Sequence, residues 1–259
     1  MTKNLWLIGG TSDSVAIALA LKAHLSCMVT TVATETARSL YPPEFQIEVG
    51  CLNAKQMQAF CQQKNIGAIV DASHPYAVEV SQNAIVTAQS LNIPYLRYER
   101  PLVESSVKTD RITVLYSFES LFAGNYLQGE RVLLTVGCKA LPLFKSWHER
   151  SRLWARILPK AESLQMALEA GFTRERLICL RPPISMELEI ALWRQWRISL
   201  VVTKASGKAG GEEIKSQVAE KLDIPLIIIS RPKVCYPQQT SCINKVVVFC
   251  SQHKISNSI

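Results

Sequence analysis

Leu5-Trp6-Leu7-Ile8-Gly9-Gly10-Thr11-Ser12 decides how this chain is read. Four apolar residues stop at two glycines, two hydroxyls follow, and Asp13 to His24 has the pattern of a helix. The stretch predicts a buried strand, a tight turn and a helix N-terminus. Glycine lets the backbone approach a ligand closely, and the exposed N–H groups and dipole of a helix start favour a phosphate. Thr11 and Ser12 are candidates both to cap the helix and to hydrogen-bond phosphate oxygens. The dinucleotide fingerprint asks for three spaced glycines, and Asp13 and Ser14 stand near the place of the third. A strand-to-helix turn with no ligand is the competing reading.

Outward from that stretch, strands and helices alternate. Strands are predicted at 28–33, 46–49, 68–71 and 93–97, with helices between them. Pro75 suits the first position of a helix running to Leu91. The second half repeats the alternation, with strands at 112–115, 131–135, 153–158, 177–180, 200–203 and 226–229 and a last one at 245–250. Such an order implies an α/β fold of two Rossmann-like domains, with parallel sheets and an interdomain cleft. Leu91-Asn92-Ile93-Pro94 through Arg100-Pro101 echoes Leu222-Asp223-Ile224-Pro225 through Arg231-Pro232. The echo places the boundary near residue 102, giving domains 1–102 and 103–259, with the last strand free to pair with either sheet.

Composition narrows the function. The 259 residues are 48% hydrophobic and 19% charged, as in a globular protein. No apolar run approaches the ~20 residues of a membrane span, and the N-terminal run ends at Gly9, too short for a signal peptide. A cytoplasmic location is the expectation. The eight cysteines are scattered, without C-x-x-C pairs or zinc-ligand spacing, and read as structural thiols. A net charge of +8 suits an acidic partner. Without a basic tail or an aromatic RNA-binding signature, a small ligand rich in carboxylates or phosphates fits better than nucleic acid.

Ligands of open α/β sheets bind beyond the carboxyl ends of the strands. Those positions hold Gly9 to Ser12, Thr34-Glu35-Thr36, Asp71 to Tyr76, Thr135 to Lys139, Arg181-Pro182-Pro183, and Thr203 to Gly211. Thr34, Glu35, Thr36 and Arg38 occupy the place of the adenosine ribose, where an arginine with hydroxyls suits a 2′-phosphate and Glu35 argues for NAD. His74 ends a strand, and either polarises a ligand or fixes the turn before Pro75. Asp71 reads as a turn cap rather than a base. Lys204 and Lys208, beside Gly210-Gly211, read as an anion-binding loop at a helix start.

Gly9-Gly10-Thr11, Val32-Ala33-Thr34-Glu35, Asp71-Ala72-Ser73-His74-Pro75-Tyr76-Ala77, Ile93 to Pro101 and Thr203 to Gly211 together resemble the precorrin-6A reductases of cobalamin biosynthesis. The resemblance runs from about residue 5 to 232. It implies a two-domain reductase that uses NADPH to reduce one double bond of a corrin-type macrocycle. It implies cofactor contacts from Gly9, Gly10, Thr11, Ser12, Thr34, Glu35, Thr36, Arg38, Ser73 and His74. His74 and Tyr76 are then the candidates nearest the chemistry. Tyr76, Arg97, Arg100, Lys204, Ser206, Gly207 and Lys208 would meet the carboxylates of the tetrapyrrole. No metal ligand and no nucleic-acid or membrane partner is implied, and the oligomeric state is open. Ala205 and Pro182-Pro183-Ile184 depart from the family pattern in the second half. A non-catalytic nucleotide-binding sensor and a nucleotide-dependent transferase are the readings from other classes.

Overall fold

The computed structural model describes residues 3–25, 27–101, 110–207, 210–253 and 255. They form two units, Met1–Pro101 with Lys233–Ile259, and Leu102–Pro232.

The first unit holds β1 (Asn4–Ile8), α1 (Ser12–Lys22), β2 (Met28–Val32), α2 (Glu35–Arg38), β3 (Ile47–Val49), α3 (Ala54–Gln63), β4 (Ile66–Asp71), α4 (Val78–Ser90) and β5 (Tyr95–Tyr98). The second holds β6 (Ile112–Leu115), α5 (Phe118–Ala123), β7 (Arg131–Thr135), a 3-10 helix (Cys138–Trp147), β8 (Arg152–Ile157), α6 (Ala161–Glu169), β9 (Leu177–Cys179), α7 (Met186–Gln195), β10 (Leu200–Lys204), α8 (Glu212–Leu222) and β11 (Leu226–Ile229). The chain then returns to the first unit as β12 (Gln239–Thr240) and α9 (Ile243–Gln252).

Among the described residues every strand pairing is parallel, and each sheet has six strands, in the orders β12-β5-β4-β1-β2-β3 and β6-β11-β10-β7-β8-β9. Both are doubly wound sheets, with the order reversing at β1/β4 in one unit and at β7/β10 in the other. Leu5, Leu7, Val70 and Leu96 build the first core with Ile17 and Leu21 of α1. Val132, Leu134, Val202 and Ile227 build the second with Phe144 and Leu153. Among the described residues, no helix is long and apolar enough to cross a membrane.

The tail corrects two expectations. Residues 245–250 form part of a helix, not a strand, and residues 233–259 belong to the first unit, not the second. The run Lys245-Val246-Val247-Val248-Phe249-Cys250 has the β-branched character of a buried strand. Tertiary packing overrides it: Val246, Phe249 and Cys250 are buried at helical spacing in the first core, while Val248 faces solvent. Pro75 is also not the first helical residue. α4 starts at Val78, and His74 to Ala77 form the turn before it. Pro142 lies within the 3-10 helix.

Candidate active site

The β1/β4 switch point is built by the turn after β1. Gly10 has φ +102°, a conformation that disfavours any side chain. A Cβ on Gly9 would collide with the Tyr41 hydroxyl. Counting from Gly9, Thr11 and Ser14 stand at the second and third glycine positions of the fingerprint. Ser14 is fully buried, and its Oγ accepts from the Gly10 and Thr11 N–H groups (3.1 and 3.0 Å) and lies 2.5 Å from the Tyr41 hydroxyl. Thr11 Oγ1 accepts from Ser14 N–H and donates to the Ala72 carbonyl at 3.0 Å. Its single proton therefore joins β1 to β4 rather than facing a ligand. The first turn of α1 still offers the N–H groups of Ser12 and Asp13, which have no acceptor within the helix. Asp13 is paired with Arg100 Nε at 2.7 Å, which offsets its charge at this helix start.

Asp71 ends β4, wholly buried. One carboxylate oxygen accepts from Ser73 N–H (2.9 Å) and Arg97 Nη1 (2.9 Å). The other accepts from Ser81 (2.6 Å) and the Tyr95 hydroxyl (2.8 Å). Arg97 also donates to Ser73 Oγ at 3.0 Å, and its guanidinium lies 5.3 Å from the Tyr236 ring. Burial, then the Asp71 charge, pushes the Tyr95 phenol far above its ordinary range. This cluster clamps the turn that presents His74. His74 is exposed, and its Nδ1 accepts from Tyr76 N–H at 3.3 Å.

Beyond β2, Thr34 caps α2 by accepting from Ala37 N–H at 3.2 Å. Glu35 and Arg38 form an exposed pair at 3.7 Å. They border a cavity of about 360 Å³ with Ser39, Tyr41, Pro42 and Phe45. Tyr41 thus links this cavity to the glycine turn, since its hydroxyl also accepts from Gly10 N–H at 3.1 Å.

In the second unit, the loop after β10 is closed on itself. Gly207 N–H donates to Glu212 at 2.7 Å, and Lys215 Nζ donates to the Gly210 carbonyl at 2.6 Å. Ser206 packs so tightly on Gly210 that a Cβ there would collide with it. Burial raises the Glu212 carboxyl, against the opposing effects of Gly207 N–H, Arg231 and Lys215. Burial lowers the Lys204 ammonium; Cys138 opposes the shift and Lys139 adds to it. Lys204 lies 5.6 Å from the Phe118 ring.

The chain matches the family model described as "Precorrin-6x reductase CbiJ/CobK" over residues 4–251. It belongs to that reductase family. It is 43% identical to the cobalt-precorrin-6A reductase of Synechocystis sp., over 96% of each chain. It is 33% identical to that of Priestia megaterium, over 93% of this chain and 95% of the relative. A solved structure of the CobK precorrin-6A reductase shares the fold, with a TM-score of 0.81, 21% identity and 98% of each chain covered. As a precorrin-6x reductase, the chain is an oxidoreductase of corrin biosynthesis acting on a CH–CH group.

Within this reductase, the residues singled out from sequence fall into three groups. Gly9, Gly10, Thr11, Ser12, Thr34, Glu35, Thr36 and Arg38 lie on β1–α1 and β2–α2, at one edge of the first sheet, with Ser73, His74 and Tyr76 following the adjacent β4. Lys204, Ser206 and Gly207 belong to the second unit, and Lys208 lies outside the described residues. Arg97 corrects its expectation: it is fully buried against Asp71 and serves the fold of the turn instead of facing substrate. Its position on β5, register-paired with Asp71, explains this. Arg100 holds Asp13. Tyr41 and Ser14 were not foreseen. Ser14 was legible as the third fingerprint position, whereas Tyr41 reaches the turn only through tertiary packing.

Proposed function

We propose that this reductase converts the precorrin-6A macrocycle, in its cobalt-bearing or metal-free form, to precorrin-6B, with NADPH as reductant. The observation that carries the cofactor reading is the continuity, through Tyr41, between the glycine turn at β1/β4 and the cavity beside Arg38. The residues fit a dinucleotide. Ser12 and Asp13 N–H at the start of α1 would hold the pyrophosphate, with Arg100 neutralising Asp13. Arg38 and Ser39 would meet a 2′-phosphate, a bidentate partner for guanidinium. Glu35 pairs only loosely with Arg38 and is three-quarters exposed, so it can swing aside. When bound, NADPH supplies a hydride from nicotinamide C4.

The chain's own part is placement. Asp71 and Arg97 hold Ser73 and the His74 turn still, so that His74 and Tyr76 would border the nicotinamide or the macrocycle. Lys204 and Ser206 supply polar groups for the acidic side chains of the tetrapyrrole. The test is oxidation of NADPH with and without precorrin-6A or its cobalt form. Arg38→Ala should raise KM for NADPH at least tenfold while leaving NADH use unchanged. NADPH binding without substrate-dependent oxidation points to the sensor reading, and equal use of NADH by wild type overturns the 2′-phosphate assignment.

A further inference from the structure

The second unit carries a concentration of arginines that the reductase reading does not use. Arg131 opens β7 and Arg152 opens β8, and the two are register partners on neighbouring parallel strands. Arg176 immediately precedes β9, and Arg150 sits two residues before Arg152. These four line a cavity of about 540 Å³ together with His148 and Glu149. All lie at the amino ends of the strands, the edge opposite the one where Lys204 and Ser206 stand.

Like charges set side by side destabilise a sheet. None of the four takes part in an ion pair among the described residues. Neighbouring Glu130 bonds to Ser199, and Glu149 is the single acidic residue of the lining. Burial and then the charges of Arg152, Arg197 and Arg176 all push the Arg131 guanidinium below its ordinary range. Three of the four are nonetheless held in place. The Arg131 guanidinium lies 4.6 Å from the Trp154 ring and donates to the carbonyls of Trp196 and Arg197. Arg176 lies 5.9 Å from the same ring, and Arg150 5.5 Å from Trp147. Stacked, planar forks lose little entropy when they grip an oxyanion. The volume is that of a small-molecule site.

We infer that this cavity is a binding site for a small polyanion, a molecule with two or more phosphate or carboxylate groups, built from none of the residues assigned above to the dinucleotide or the macrocycle. The anion, gripped by bidentate guanidinium pairing, would supply the negative charge that the four arginines lack in the cavity's own lining.

The test measures the melting temperature of the full chain in low-salt, phosphate-free buffer against inorganic pyrophosphate, citrate and monophosphate. Pyrophosphate or citrate should raise it by several degrees at millimolar concentration, monophosphate by less. Whichever of the two acts more strongly distinguishes phosphate from carboxylate. In R150A/R152A the polyanion affinity should fall tenfold or more, and the melting temperature without anion should stay level or rise as repulsion is relieved. Arg38→Ala should keep the full pyrophosphate response. An unchanged response in R150A/R152A, its loss in R38A instead, or no response in the wild type overturns the proposal. If R150A/R152A does not fold, R176Q carries the same comparison.

Discussion

The two units repeat one architecture and fill it with different chemistry. In each, four sheet strands run in the order third, second, first, fourth, then a fifth and an added edge strand. Even the helix exits agree. Asn65 and Arg197 precede the fourth strands, Asn92 and Asp223 the fifth, and these four are the non-glycine residues with positive φ among those described (48°, 47°, 52° and 57°). Each is followed by isoleucine. Three of those isoleucines, Ile93, Ile198 and Ile224, donate back to the preceding helix at 2.8, 2.9 and 3.0 Å. The difference lies at the strand ends. The first unit pairs Asp71 with Arg97 across β4 and β5, and the same register positions of the second hold Thr203 and Ile228. The second unit places its buried cation elsewhere, at Lys215 beneath the start of α8. A repeated scaffold therefore leaves the charge free to go where each unit has a loop to hold.

Asp71→Ala should break this comparison most severely. It leaves the buried Arg97 guanidinium with only the more distant Glu99 carboxylate, at 3.5 Å from Nε, at a cost of about 3–5 kcal/mol in denaturant unfolding. Importing the pair of the second unit, D71T/R97I, should recover most of that stability. It should not recover NADPH oxidation, because Ser73 and the His74 turn lose their anchor. Activity restored along with stability would show that the ion pair has no positioning role.

The buried cations separate the units by pH. Arg97 keeps its proton throughout. Lys215 does not: burial, then Arg156, lowers it to about 8, against the pull of Glu189 and Glu212. Between that value and the unfolded 10.5, the unfolded chain holds the extra proton, so stability rises with pH across this window. Below about 8 both states are protonated and the slope vanishes. The rise is at most about 3 kcal/mol. K215M should lack it, measured as the change in unfolding free energy from pH 8 to 10; an identical slope in wild type and variant removes the assignment.

Glycine substitutions test the two loops at about 1–3 kcal/mol each. Gly9→Ala displaces Tyr41 and should weaken NADPH binding. Gly210→Ala displaces Ser206 and should leave NADPH binding intact while raising KM for the macrocycle. The smallest effect concerns the shared helix exits. Arg197→Gly should stabilise the chain by about 0.5–1 kcal/mol, since glycine takes positive φ without strain. Asn65→Gly should do less, because asparagine already tolerates that region.

The repeat was legible at Leu91 to Pro101 and Leu222 to Pro232 because helix exits and buried strands are written in local sequence. The strand-end glycines Gly9 and Gly10 were legible for the same reason, whereas the positive φ of Asn65 and Asn92 emerged only in the structure. Arg97 was misread because an arginine near a strand end looks like a ligand contact until its neighbour across the sheet is known. The tail was misread because Val246 to Phe249 favours a strand locally and a helix only once the apolar face beside α1 is there to receive it.

Sequence alone thus determined the alternation of strands and helices, the parallel sheets and Gly9-Gly10-Thr11 as the tight turn between a buried strand and a helix start. These follow from hydrophobic periodicity and from glycine's backbone freedom, which are properties of neighbours along the chain. Tertiary structure alone decided that Thr11 gives its proton to Ala72, that Tyr41 closes the glycine turn, and that β12 adds the edge strand beside β5 in the first sheet. Each joins groups distant along the chain, and only the folded core sets which donor meets which acceptor.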